Sequence, residues 1–137
     1  LLDYAHNPAG MRALQQFVDN VDATKKVGII AGIGDRRVED NNEMGSIAAE
    51  MFDEIIIRQD KKLRGKTETE LIKMLDDGIK MKDLNIKTTI ITSEREAILH
   101  AVKTAEKGSL IVLCSDVVPD ALELVKKLKE EESTRLY

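Results

Sequence analysis

A chain of 137 residues is long enough for one domain with a sizeable core, and 42% apolar, 34% charged and 3% aromatic residues make an ordinary globular balance. A net charge of −4, with acids and bases interspersed and few rings to stack on bases, argues against a nucleic-acid partner. The apolar runs are too short for a membrane span, the front shows no signal-peptide pattern, and the single cysteine, Cys114, cannot form an internal disulfide; together these predict a cytoplasmic protein without a membrane partner.

The chain opens LLDYAHNPAG, an extended start and then a tight turn that gathers Asp3, His6 and Asn7. KVGIIAG, EIIIRQ, KTTIIT and SLIVLCS follow as continuous apolar runs, the pattern of strands buried on both faces. Between them lie stripes at helical spacing: Met44, Ile47, Ala48 and Met51; Leu71, Leu75 and Ile79; Ala97, Ile98, Ala101, Val102 and Ala105; and Leu122, Val125 and Leu128. Thr67 with Glu70, and Ser93 with Glu96, have the spacing at which each side chain satisfies an orphan amide of a first helical turn. Pro119 suits a first helical position, and Gly108 a helix stop.

Strand–helix alternation of this kind predicts right-handed crossovers and a mostly parallel sheet with helices on both faces, an α/β fold. No repeat, low-complexity stretch or linker divides the chain, so residues 1–137 read as one domain, with KEEESTRLY as a fraying tail. In open parallel sheets ligands bind beyond the carboxyl ends of the strands. Those edges carry the turn after Tyr4, then GIGDRR, RQDKKLRGK, TSE and CSDVVPD.

Two loops imitate phosphate-binding motifs. AGIGDRR supplies Gly32 and Gly34 of a dinucleotide fingerprint but has Arg37 where the third glycine belongs. DKKLRGKT ends like a P-loop with Gly65, Lys66 and Thr67, but Asp60 stands where the first glycine is required, and a carboxylate there would repel a triphosphate. The plainer reading is a basic loop before a Thr N-cap. Two histidines far apart and one cysteine make no zinc site, so no metal ligands are assigned. His100 and Cys114 read as structural.

DYAHNPAG, then GDRRVEDNNEMGSIAAEMFDEIIIRQD, then RGK, in this order along essentially the whole chain, resemble the C-terminal domain of the Mur ligase superfamily, ATP-dependent amide ligases that join an amino acid to a carboxylate. GDRR with the acidic residues after it, FDEIIIRQD, RGK and EREAILHAVKTAEKGSLIVLCSD look closest to the cyanophycin synthetase branch, which builds an Asp–Arg polymer. The resemblance implies a three-layer α/β/α Rossmann-like domain with a six-stranded sheet, mostly parallel, one strand antiparallel. It also implies that the chain is the excised C-terminal part of a longer ligase. A preceding ATPase domain of the same polypeptide would hold most of the contacts to ATP and Mg²⁺, and the isolated fragment would be inactive. Whether it forms a homo-oligomer is left open.

Residue by residue, the resemblance places Asp3, His6, Asn7 and Gly34 at the nucleotide. Asp35 and Arg36 become the catalytic pair, the cation stabilising phosphate charge and the Asp orienting it. Asp60 and Arg64 would bind the incoming amino acid, with arginine favoured. Murein ligases often carry Asp-Asn-Pro-Arg there, whereas this chain has DKKLRG. The chemistry is activation of a carboxylate as an acyl phosphate, followed by attack of an amine, which cations and amide dipoles favour. Plainer roles stand beside these: His6 and Asn7 as helix caps, Asp35 and Arg36 as a surface ion pair, Asp60 and Arg64 as solvated loop charges. Two alternative functions are a non-catalytic regulatory or interaction module derived from a ligase domain, and the C-terminal domain of a murein-type peptide ligase.

Overall fold

The apolar runs become strands because both of their faces are covered. In the computed structural model of the chain, which describes residues 2–3, 7–32, 37–58 and 67–114, the elements follow in a strict alternation. They are β1 (Leu2–Asp3), α1 (Pro8–Asp19), β2 (Lys26–Ala31), α2 (Val38–Met51), β3 (Glu54–Arg58), α3 (Glu68–Lys82), β4 (Lys87–Ile90), α4 (Glu94–Thr104) and β5 (Leu110–Cys114). The strands form one sheet in the order β1-β5-β2-β3-β4, and every neighbouring pair is parallel. The three-layer parallel α/β architecture is thus present. The sixth, antiparallel strand implied by the resemblance is not among the described residues, nor are Pro119 and the stripe Leu122, Val125 and Leu128.

From β1 to β4 the chain steps one way across the sheet, then returns to insert β5 between β1 and β2. With right-handed crossovers, that reversal puts α1, α2 and α3 on one face and α4 on the other. The packing follows it. Met11, Leu14 and Val18 of α1, Met44 and Ile47 of α2, and Leu75 and Ile79 of α3 pack with Ile30, Ile55, Ile57 and Val112. Ala97, Ile98 and Ala101 of α4 pack with Val27, Ile29, Ile56 and Leu113. Successive strand residues alternate between these two cores, as a pleated strand requires. Each fully buried isoleucine contributes roughly 1.5–3 kcal/mol relative to exposure.

The helix starts are as read. The Thr67 hydroxyl accepts from the Glu70 N–H at 3.1 Å while the Glu70 carboxylate accepts from the Thr67 N–H at 3.0 Å. Ser93 makes its half of the pair, accepting from the Glu96 N–H at 3.3 Å. Three readings need correction. Helix α4 ends at Thr104, so Ala105 lies past it and Val102 is 46% exposed. Gly108, at φ +83°, turns the chain into β5 rather than stopping the helix, and its carbonyl accepts from the Thr24 N–H at 3.0 Å. KTTIIT is not buried on both faces: β4 is the last strand of the described sheet, with Lys87 and Ile90 exposed. Pattern alone does not distinguish an edge strand rich in β-branched residues from a central one.

The α2–α3 crossing was not legible. A Cβ on Gly78 would run into the Asn42 carbonyl, and one on Gly45 into that of Leu75, so glycine is what lets the two backbones meet.

Candidate functional site

Because every described strand runs the same way, all four helices begin at one edge of the sheet, the carboxyl edge. Their N-termini, carrying partial positive charge and unpaired amides, face the same side. Three of the four carry acids in their first turn: Glu39 and Asp40 on α2, Glu68 and Glu70 on α3, Glu94 and Glu96 on α4. Helix α1 has none, so among the described helices its dipole is the one with no first-turn acid facing an anion at this edge.

Helix α1 starts where DYAHNP ends. Asn7 is its N-cap, in extended conformation, and its Oδ1 accepts from the Gly10 N–H at 2.7 Å; Pro8 occupies the first turn, where no N–H is needed. The capping role considered for Asn7 is therefore real, and any contact to a ligand would fall to its amide NH₂. Asp3 ends β1 and pairs in register with Cys114, the last residue of β5. The structure thus brings Asp3 and Asn7 to the same edge. His6, Gly34, Asp35, Arg36, Asp60 and Arg64 lie outside the described residues. The residues flanking them, Gly32 and Arg37, then Arg58 and Thr67, are described and stand at that edge too.

The last residue of each imitation motif is described, and each stands at a helix start. Arg37, at the third-glycine position, is the N-cap residue of α2; its exposed guanidinium pairs with Asp40 of its own helix at 3.1 Å. That hydrogen bond, and then the Asp40 charge, raise the Arg37 pKa further above its ordinary value. Thr67, at the P-loop threonine, caps α3.

The sequence reading missed Arg58. It ends β3 after four buried residues and is itself only 3% exposed. Its Nη2 donates to the Cys114 carbonyl at 2.7 Å, and its Nε lies 3.3 Å from Glu94 Oε2 in the first turn of α4. An arginine closing the apolar run of EIIIR was the available signal, because a guanidinium leaves water only with a partner.

The opposite edge has its own buried charge, Glu54, the first residue of β3. Lys25 reaches it at 2.8 Å and Lys87 at 3.4 Å. Burial pushes the Glu54 carboxyl up, but the hydrogen bond and charge of Lys25, joined by Lys87, more than offset this and hold it below the usual carboxylate range.

An open parallel sheet with a chain reversal and a polar carboxyl edge is the class of α/β domain that takes its ligands beyond the strand ends. The chain belongs to the Mur ligase, glutamate ligase domain family, whose match covers residues 1–117. It is 37% identical over 127 residues to the cyanophycin synthetase of Crocosphaera subtropica, covering 93% of this chain and 14% of that protein. It is 30% identical over 142 residues to the UDP-N-acetylmuramoyl-L-alanyl-D-glutamate–2,6-diaminopimelate ligase of Caldanaerobacter subterraneus, covering 95% of this chain and 29% of that one. FolC of E. coli, solved in complex with ADP and without folate substrate, shares the fold with a TM-score of 0.68 at 17% identity, over 93% of this chain and 29% of its own. The chain corresponds to a small part of each of these proteins.

Proposed function

We propose that residues 1–137 are the C-terminal domain of a longer ATP-dependent ligase that joins a carboxylate to an amine, of the cyanophycin synthetase kind, with arginine as the incoming amino acid. The observation that carries this is the 37% identity to a cyanophycin synthetase over 93% of the chain. ATP and Mg²⁺ would be held mainly by a preceding ATPase domain of the same polypeptide. ATP would supply the phosphoryl group that activates the carboxylate.

The described edge fits a nucleotide in one respect: α1 offers an amide dipole with no first-turn carboxylate to repel phosphate. Beside it, Asp3, His6, Asn7 and Gly34 would hold the nucleotide side of the cleft. Arg36 would stabilise phosphate charge, with Asp35 orienting its guanidinium. Asp60 would take the incoming guanidinium as a bidentate pair, and Arg64 the amino acid's carboxylate. The domain's contribution is orientation, which can lower a barrier by about 7 kcal/mol in well-aligned cases.

The test is to offer the full-length protein arginine, lysine and diaminopimelate in turn with ATP and Mg²⁺, and to assay the 137-residue chain alone beside it. Arginine-dependent amide formation by the full-length protein, and none by the chain alone, is the expected result. Turnover by the chain alone would contradict it. The 30% identity to a diaminopimelate ligase supports a second reading, a murein-type peptide ligase, for which diaminopimelate would be the preferred amine.

A further inference from the structure

We infer that Arg58 is a positioning residue of this site, a buried strut that fixes the carboxyl ends of β3 and β5 against the first turn of α4. The inference rests on the ligase reading for its kinetic consequence, and on geometry alone for the strut itself.

A desolvated guanidinium is costly unless charge and hydrogen bonds are both supplied. Here they come from different elements: charge from Glu94 on α4, and a carbonyl acceptor from Cys114 on β5. Strand β2 lies between β3 and β5, so the Arg58 side chain must pass over it to reach Cys114. Arg58 pairs in register with Ala31. Residues paired in a parallel sheet face the same side, and Val27 and Ile29, which alternate with Ala31's neighbours, pack toward α4. Ala31 therefore lies on the α4 face, where its single methyl leaves the guanidinium a path.

One side chain thus ties the ends of β3 and β5 together across β2. Through the Asp3–Cys114 register it also bears on β1. These are the strand ends beside which the nucleotide-side and amino-acid-side residues are proposed to act. The described contacts of Arg58, Glu94 and the Cys114 carbonyl, are groups of the frame itself, so its role is placed at the strand ends. Lysine cannot replace it. A single ammonium lacks the planar fork that serves a carboxylate and a carbonyl lying in different directions.

The experiment uses the full-length protein with three variants: Arg58→Lys, Glu94→Gln and, as a control at the other end of the same strand, Glu54→Gln. Hydrogen exchange is followed at Cys114 and in the first turn of α4, with kcat and KM measured for ATP and for the amino acid. Arg58→Lys is expected to fold, to exchange faster at Cys114, and to lose about tenfold or more in kcat with KM for ATP within about twofold, since small misplacements cost rate rather than nucleotide affinity. Glu54→Gln is expected to lower stability while leaving kcat within about twofold, the pattern of a structural charge alone. If Arg58→Lys does not fold, Glu94→Gln carries the same expectation for exchange and kcat. A folded Arg58→Lys with unchanged exchange and unchanged kcat overturns the inference. A parent without turnover overturns the ligase reading instead. Exchange at Cys114 still decides the strut in that case: faster exchange supports it and unchanged exchange overturns it.

Discussion

Strand β3 carries a buried charge at each end, and the protein treats the two differently. Glu54, at the amino edge, is met by two lysines whose side chains remain 28% and 69% exposed. Those ammonium groups can return to water at little cost. Arg58, at the carboxyl edge, is met by a carboxylate only 12% exposed and by a strand-end carbonyl that is itself part of the backbone. The first arrangement is a flexible surface clasp around one carboxylate. The second makes the side chain part of the frame. Within β3, the more enclosed ion pair stands at the edge where the ligand is proposed to sit.

The largest effect expected from breaking this contrast is Arg58→Met. It removes a buried cation from beside the largely buried Glu94 carboxylate, and chemical denaturation should show a loss of about 3–5 kcal/mol. Glu54→Gln should cost less, about 1–2 kcal/mol by the same measurement, because the lysines can turn outward. It should also flatten the acid limb of the stability curve. The folded Glu54 pKa is depressed, so its contribution is present above its unfolded pKa and is lost as pH falls.

Glu50 calibrates that pH effect on the helical face. Hydrogen bonds from Gln15, then Arg12, then Lys82 bring its pKa from 4.5 down to about 2. The three donors link α1, α2 and α3. Its stabilisation should be complete above pH 4.5 and fade between there and about 2, and Glu50→Gln should remove that part of the acid titration. The smallest effect is Lys87→Met. An exposed partner at 3.4 Å should contribute under about 1 kcal/mol, and less still in high salt.

Periodicity made the frame legible. EIIIR and SLIVLC read as strands from their continuous apolar runs, and Leu71, Leu75 and Ile79 as one side of a helix, and each forms the element read. What periodicity does not encode is where an element lies in the sheet. KTTIIT therefore looked central although β4 is the last strand described. Nor does it report close backbone approach, so Gly45 and Gly78 passed without notice until α2 and α3 were seen to cross on them. At the site, the capping role read for Asn7 is present, its side-chain Oδ1 closing the start of α1, while Tyr4, Ala5 and His6 lie outside the described residues. Arg58 escaped because its partners, Glu94 and the Cys114 carbonyl, are 36 and 56 residues away along the chain (94 − 58 and 114 − 58), and no local pattern joins them. Asp35, Arg36, Asp60 and Arg64 rest on the resemblance and remain proposals.

The most direct measurement sets the two edges against each other in the full-length protein. ATP-dependent amide formation is followed for Arg36→Ala, proposed to act at the carboxyl edge, and for Glu54→Gln at the amino edge, with folding checked for both. The ligase reading predicts a fall in kcat/KM of about 100-fold or more for Arg36→Ala, and a change within about threefold for Glu54→Gln. A folded Arg36→Ala protein with unaltered kcat/KM would contradict it.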